Sequence, residues 1–355
     1  MYQQFISHFP DDVKNALEDE DIKVKTLHLS KVRKVNESYD AITVEMPNSN
    51  LSPIINVGDF YRLHRQGVSH SKLKKMVAEV VKRSLENSPA LDTEALRDYE
   101  KVKPHLYVEA MSAKSNFDLM RKIPHRRMED IASVYRIALE AFGIKGATTR
   151  VSYQMLAKFG VTIEQLHKDA VENTSKNRPV VLEGLLETMY KMTAHKDIDP
   201  YGINKPPKNE NAYVATVQGL EKGACVMFYE NFFDQAAEKL GGDFYVIPSS
   251  IHELVLVKDN GAHGANELLN LVKWNNENKV DPCERLTDNV YHYDSENHIF
   301  EQADKFESRS KMISSFKKGA KNSVLKDIKD TQEDVDQRSG KIKSTVSRTR
   351  GGDIL

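Results

Sequence analysis

Phe244-Tyr-Val-Ile-Pro-Ser-Ser-Ile-His-Glu-Leu-Val-Leu-Val257 is the longest apolar stretch of the chain, and its reading decides the fold. Its β-branched and aromatic content predicts a strand through the whole segment. On a strand Ser250, His252 and Leu254 share one face, while Ile251, Glu253 and Val255 share the other. A His252–Glu253 base-and-orienter pair is therefore disfavoured, whereas Ser250 with His252 is allowed. Ser250-x-x-Glu253 also has capping-box spacing, but the short β-branched run Leu254 to Val257 favours the strand. Polar groups inside an apolar strand are costly unless satisfied. The cluster Ser249, Ser250, His252 and Glu253 is thus either a structural network or a site. In the structural alternative the Ser and His satisfy a neighbouring loop, and Glu253 pairs with Arg127 or Arg136.

Working outward, helix and strand patterns alternate without repeats. Upstream lie strands at Ala212 to Val217 and Ile131 to Leu139, a strand Leu106 to Met111, and a second apolar run at Ala224 to Tyr229. Helices are expected at Ser152 to Lys158, closed by Gly160, and at Thr162 to Asn173, with Thr162 to Gln165 as capping box and Asn173 as C-cap. Phe117 to Arg121 is a short helix stopped by Pro124, and Phe232 to Leu240 one stopped by Gly241-Gly242. Val180 to Met192 reads as strand or helix, and His195 to Asn211 as an irregular loop. Downstream follow a helix Ala265 to Asn276 and a hairpin of Val290 to Asp294 with His298 to Phe300. Nearer the start, Asp12 to Glu20 is helical, Ile22 to Leu29 a strand, Val32 to Met46 a hairpin with Asn36 to Asp40 as its turn and Ala41 to Met46 as its return strand, Pro53 to Val57 a short strand and Val68 to Asn87 a helix. Ser88 to Asp92 reads as a boundary. The fold class is α+β: a mixed body of two subdomains, 1–90 and 101–303, with a basic helical or disordered tail, 304–355.

Composition agrees with a folded core. The 355 residues are 39% hydrophobic and 29% charged, with a net charge of −1. From Asp304 onward there are 13 Lys/Arg against 8 Asp/Glu, so the tail is basic and the body acidic. Two cysteines, Cys225 and Cys283, make no disulfide framework and suit a reducing compartment. The first residues lack a signal-peptide pattern, and no run approaches the ~18 apolar residues of a membrane span. A cytoplasmic protein without membrane contact is expected.

Chemistry-bearing motifs are sparse. No Gly-x-Ser-x-Gly elbow, paired-histidine zinc helix or glycine-rich phosphate loop occurs. Neither a cofactor nor a metal is expected. Two lone cysteines exclude a Cys-rich zinc site, and nothing in their spacing requires His125, His252 and His292 to converge. Asp11, Asp21 and Lys23 mimic a metal-nuclease pattern, but Asp11 begins a helix in a charge-rich stretch. His125, Arg126 and Arg127 form a candidate anion site; in the alternative they sit in a charged loop and Asp130 pairs with Arg126 or Arg127. In the tail, Lys317, Lys318, Lys321, Lys341, Lys343, Arg348 and Arg350 are candidates for partner or nucleic-acid contact. With only Phe306 and Phe316 for stacking, such contact would be electrostatic.

A resemblance runs through the body in register. It is carried by Lys34-Val-Asn, Ile42-Thr-Val, Ser52-Pro-Ile-Ile, Phe60-Tyr with Gly67, Ile123-Pro-His-Arg-Arg-Met-Glu-Asp-Ile-Ala and Val134-Tyr-Arg-Ile. It continues through Gln165-Leu-His-Lys-Asp-Ala, Asn173-Thr, Gly223-Ala, Ile247-Pro-Ser-Ser-Ile-His-Glu, Leu286 and Val290-Tyr-His-Tyr-Asp. The chain resembles, over about 25–303, an uncharacterised clostridial family, a domain of unknown function in gut Firmicutes and often on mobile elements. The resemblance implies a bacterial or phage setting and no reaction. The expected function is an interaction protein with a protein partner. The alternatives are a hydrolase using Ser250, His252 and Glu253, and nucleic-acid binding through the tail.

Overall fold

The computed structural model describes residues 1–34, 36–47, 52–86, 91–193 and 210–316. The expected boundary at Ser88, most of the loop His195 to Asn211, and the tail cations from Lys317 onward lie outside these residues. The structure is α+β, with three antiparallel sheets among the described residues. Contacts divide the chain into a unit Met1–Phe300 and a second that begins at Glu301.

The first sheet has the order β1 (Thr26–Lys34), β2 (Glu37–Glu45), β3 (Ile54–Asn56). Helices α1 (Tyr2–Glu18), α2 (Val57–Arg65) and α3 (His70–Glu86) share its hydrophobic core, where Phe9, Val13 and Leu17 meet Ile42, Val44, Phe60 and Val77. The sequence reading starts α1 at Asp12, beyond Pro10, a residue that disfavours a helix interior because it lacks a donor. The helix instead runs through Pro10. Phe5, Phe9, Val13 and Leu17 form a continuous i, i+4 stripe whose burial outweighs the missing bond. Ile22 to Lys25, expected in a strand, precede β1.

The hairpin tip bears on the rest of the unit. Asn36, at φ 56°, donates its backbone N–H to Asn116 Oδ1 at 2.8 Å, and its side-chain amide to the Arg285 carbonyl at 2.6 Å. Asparagine tolerates this left-handed conformation better than most residues.

The other two sheets share one core. In one, β4 (Leu106–Ser112) and β5 (His125–Met128) flank β6 (Ile131–Ala138), and β7 (Thr148–Arg150) also pairs with β6. The second has six strands, β8 (Val180–Gly184), β9 (Ala212–Val217), β10 (Phe244–Pro248), β11 (Leu254–Lys258), β12 (Tyr291–Asp294) and β13 (Ile299–Gln302), in the spatial order β13-β12-β10-β11-β9-β8. Val108, Tyr135 and Ile137 from the first sheet join Ala215, Phe244, Leu256 and Tyr291 from the second. Val180 to Met192 is both strand and helix, since β8 is followed directly by a helix, Leu185–Thr193. Ala224 to Tyr229 is not a strand: Gly223–Phe228 is a 3-10 helix with every residue buried, so it shows no face periodicity. The helix expected to end at Asn173 runs Ile163–Asn177. Asn173 is therefore inside it, donating its side-chain amide to the Lys103 carbonyl.

In the second unit, residues 303–316 are helical, and Arg309 pairs with Glu301 at 2.7 Å.

Candidate functional site

The apolar stretch that opened the reading is a hairpin, not one strand. Pro248 pairs with Leu254, so Ser249 to Glu253 form the connection between β10 and β11. Pro248 offers no N–H to extend the ladder, which fits its place at the strand end. Face alternation thus no longer separates His252 from Glu253, yet they do not meet. Glu253 accepts from Ser249 Oγ at 3.0 Å, rather than from Arg127 or Arg136. Ser250 Oγ accepts the His252 backbone N–H at 3.0 Å; it meets the His252 backbone, not the ring.

His252 is committed at every polar atom. Its Nδ1 accepts the Lys222 backbone N–H at 3.1 Å, its Nε2 faces Glu284 Oε1 at 3.3 Å, and its carbonyl accepts from Thr216 Oγ1 at 2.8 Å. A backbone N–H can only donate, so the ring proton sits on Nε2 and points at the Glu284 carboxylate. No ring lone pair is left to take a proton from a nucleophile. Bonds from Ile251 N–H to the Glu284 carbonyl (2.8 Å) and from Ala224 N–H to the Ile251 carbonyl (3.2 Å) hold the same loop.

His125, Arg126 and Arg127 lie on β5 and not in a loop. They oppose Val134, Ser133 and Ala132 in register, so Arg126 points to one face of the sheet while His125 and Arg127 point to the other. The two guanidinium groups do not form one fork. Arg126 lies on the side of His167, whose Nδ1 is 3.1 Å from Tyr135 Oη. Burial first, and then the Arg126 charge, push the His167 pKa down to about 4, and burial pushes Tyr135 up to about 12. Asp130 accepts from Thr287 (2.6 Å), Asn289 (3.1 Å) and Tyr291. Tyr291 is consequently raised, by burial first and by Asp130 next.

His125, His252 and His292 face different partners: the Ile123 carbonyl, Lys222 with Glu284, and Asp259. Among the described residues no group of three or more His, Cys, Asp or Glu could hold a metal ion. No helix among them is long and apolar enough to cross a membrane.

A second charged constellation escaped the sequence reading. Arg136 on β6 stands between Tyr107 on β4 and Arg150 on β7, directly opposite both in register. Glu109, two residues along from Tyr107, shares their face and is only 4% exposed. It pairs with Lys222 Nζ at 2.6 Å and with Arg136 Nε at 3.5 Å. Arg136 Nε also donates to Thr148 Oγ1 at 3.1 Å. Arg150 Nε is buried without a hydrogen-bond partner. Burial and then Arg136 lower the Arg150 pKa, against the pull of Glu109. The signal was available: Glu109 and Arg136 are ionisable groups inside apolar strands, as the hairpin cluster was taken to be.

Lys222 links the two constellations. It sits at φ 53°, in a turn where Gly219 and Leu220 are also left-handed. The turn aims its backbone at His252 and its side chain at Glu109. Gly223 comes next, and a Cβ there would stand 2.5 Å from the His252 carbonyl and 2.8 Å from Val217 N. Beside Lys222 opens a cleft of about 690 Å³, lined by Tyr107, Thr148, Asn177, Arg178 and Gln218 among others.

No curated protein and no solved structure matches the chain. A family of unknown function, DUF5688, matches residues 2–295, which takes in the helices before β1 as well as the hairpin loop, β5 and the cleft; the chain belongs to that family.

Proposed function

We propose that the protein is a non-catalytic binding protein acting on a protein partner in the cytoplasm of a bacterium, as part of a mobile element. The setting rests on the sequence resemblance and on Cys225 and Cys283, neither of which is in a disulfide. The observation that carries the non-catalytic reading is the complete engagement of His252. A hydrolase built on Ser250, His252 and Glu253 needs an imidazole nitrogen free to accept a proton from Ser250. Here Nδ1 holds the Lys222 N–H, and Ser250 Oγ serves the His252 backbone.

The test compares wild type with His252→Asn, whose amide oxygen can replace Nδ1 as acceptor for Lys222. Both are assayed against ester, phosphoester and peptide substrates, with circular dichroism to confirm the fold. No turnover above background is expected from either. Turnover by the wild type that disappears in a folded His252→Asn protein overturns the reading in favour of the hydrolase.

A further inference from the structure

Strand β1 is an edge of the first sheet. Among the described residues it pairs with β2 alone, so the N–H and C=O groups along its other side meet no strand. Edges are commonly blunted by short length, proline or a bulge. β1 has nine residues, contains no proline, and keeps an unbroken register with β2 from Thr26 to Lys34. Its side chains also mark the edge as open. Leu29, Ile42 and Ile55 stand directly opposite one another across the three strands, and so share the face that meets the helices. Ile42 and Ile55 are 0% and 1% exposed, whereas Leu29, at the end of the row, is 46% exposed. A strand laid beside β1 places a side chain ~5 Å from Leu29 and completes the row.

Charge selects the strand that fits. From Lys23 to Lys34 the sequence carries five Lys or Arg and no Asp or Glu. Glu45 on β2 answers Lys25 at 2.7 Å and His28 at 3.6 Å. Asp40, opposite Lys31, instead accepts from Tyr2 Oη at 3.0 Å. Lys31 is exposed and shares the Leu29 face of β1. A second copy of β1 would bring like charges together, whereas a strand with carboxylates beside its apolar residues neutralises them. We propose that β1 is the docking edge for the protein partner, which adds an extended acidic segment as a fourth strand, with an apolar side chain against Leu29 and a carboxylate near Lys31. Main-chain pairing supplies affinity in this mode, and alternate side chains supply specificity. The proposal rests on the binding reading above and gives the form of the partner.

The probe is a fluorescein-labelled peptide of the length of β1, Thr-Glu-Thr-Val-Thr-Val-Thr-Glu-Thr, whose Glu and Val side chains share one face. Titrated into the full chain and followed by anisotropy, it should bind saturably at one per chain, and hydrogen exchange should slow in β1 but not in β3. A peptide with proline as its central residue keeps the charge but cannot continue a ladder, and one with lysine for glutamate reverses the charge. Each should bind about tenfold more weakly or worse. Leu29→Asp and Lys31→Glu, two independent changes at exposed positions, should weaken binding of the acidic peptide by about as much; Ile54→Asp, on the opposite edge, should not. Equal binding of the proline peptide overturns strand addition in favour of diffuse charge attraction. No saturable binding by the folded wild type, or an equal loss in Ile54→Asp, overturns the edge. A dimer in sedimentation velocity that Leu29→Asp abolishes gives the edge to a second copy instead. Failure of the peptide overturns the edge and leaves the non-catalytic reading in place, whereas His252-dependent turnover overturns that reading whatever the peptide does.

Discussion

The backbone N–H of Lys222 is donated to Nδ1 of His252 across 3.1 Å, joining the β10–β11 hairpin loop to a left-handed turn thirty residues earlier in the chain. This bond gives His252 a defined tautomer and gives the turn its acceptor. His252→Ala should leave the Lys222 N–H unsatisfied and cost about 1–2 kcal/mol. His252→Asn, which keeps an acceptor near the same place, should cost less than half as much. Urea unfolding of the three proteins decides the matter; equal losses in the two variants would show that ring packing, not the hydrogen bond, matters.

Gly223 should tolerate no side chain. A Cβ there meets Thr216 Oγ1 at 2.0 Å, the His252 carbonyl at 2.5 Å and Val217 N at 2.8 Å. Thr216 can rotate away only by giving up its bond to His252, and the two backbone atoms cannot move independently of β9 and the loop. Gly223→Ala should therefore cost about 3 kcal/mol and expose the Ser249–Glu253 loop to limited proteolysis. Unchanged protease resistance would contradict the close approach.

Elements with a clean period were legible in the sequence, and the places where two requirements compete were not. The β1–β2 hairpin shows because polar residues from Asn36 onward interrupt the alternation, although Glu37 to Asp40, read as turn, pair in β2, and the helix Ile163–Asn177 shows because Thr162 caps it by accepting the Gln165 N–H. Gly223–Phe228 is apolar on all sides, so nothing in its pattern separates a buried 3-10 helix from a buried strand. Pro248 was the available mark of the hairpin loop, but the β-branched run beyond Glu253 hid the interruption. On β5, His-Arg-Arg-Met carries no apolar alternation, so its sequence suggests an anion site or a charged loop rather than a strand. The Glu109 constellation depends on pairings with Arg136 and Lys222 from distant parts of the chain, which no local spacing encodes.

His167 should make stability fall on acidification. Its pKa drops from the ordinary 6.5 to about 4 in the folded protein, so between these values the unfolded chain binds the extra proton. The stabilisation is complete above pH 6.5 and is lost as pH falls toward 4, by on the order of 1 kcal/mol after allowing for the exposed part of the ring. His292, lowered by burial against the pull of Asp259, titrates in the same sense. His167→Asn, which retains an acceptor for Tyr135, isolates the contribution. The stability gap between pH 7.5 and pH 4.5 should shrink in this variant. A gap as large as the wild type's removes His167 as a source.

The two thiols should differ in reactivity. Cys225 is fully buried and burial raises its pKa to about 11, whereas Cys283 is exposed. Only the thiolate reacts. At pH 8 a maleimide should label one thiol per native chain rapidly and both after denaturation, with Cys283 the native site by peptide mapping. Rapid native labelling of Cys225 would mean that the core around the 3-10 helix opens far more readily than its packing implies.

Glu109 should matter more than either of its cationic partners. Glu109→Gln leaves Lys222, Arg136 and Arg150 together without a carboxylate, and should cost about 3 kcal/mol. Lys222→Met removes one cation but leaves Glu109 paired with Arg136, and should cost about 1–2 kcal/mol. Because the glutamine variant suffers from excess positive charge, adding Lys222→Met to it should recover stability rather than lose more. A double-mutant cycle by urea unfolding reads this coupling directly. Simple addition of the two losses would show that Lys222 contributes through its packing and its turn, and that the cations around Glu109 do not repel one another enough to be felt.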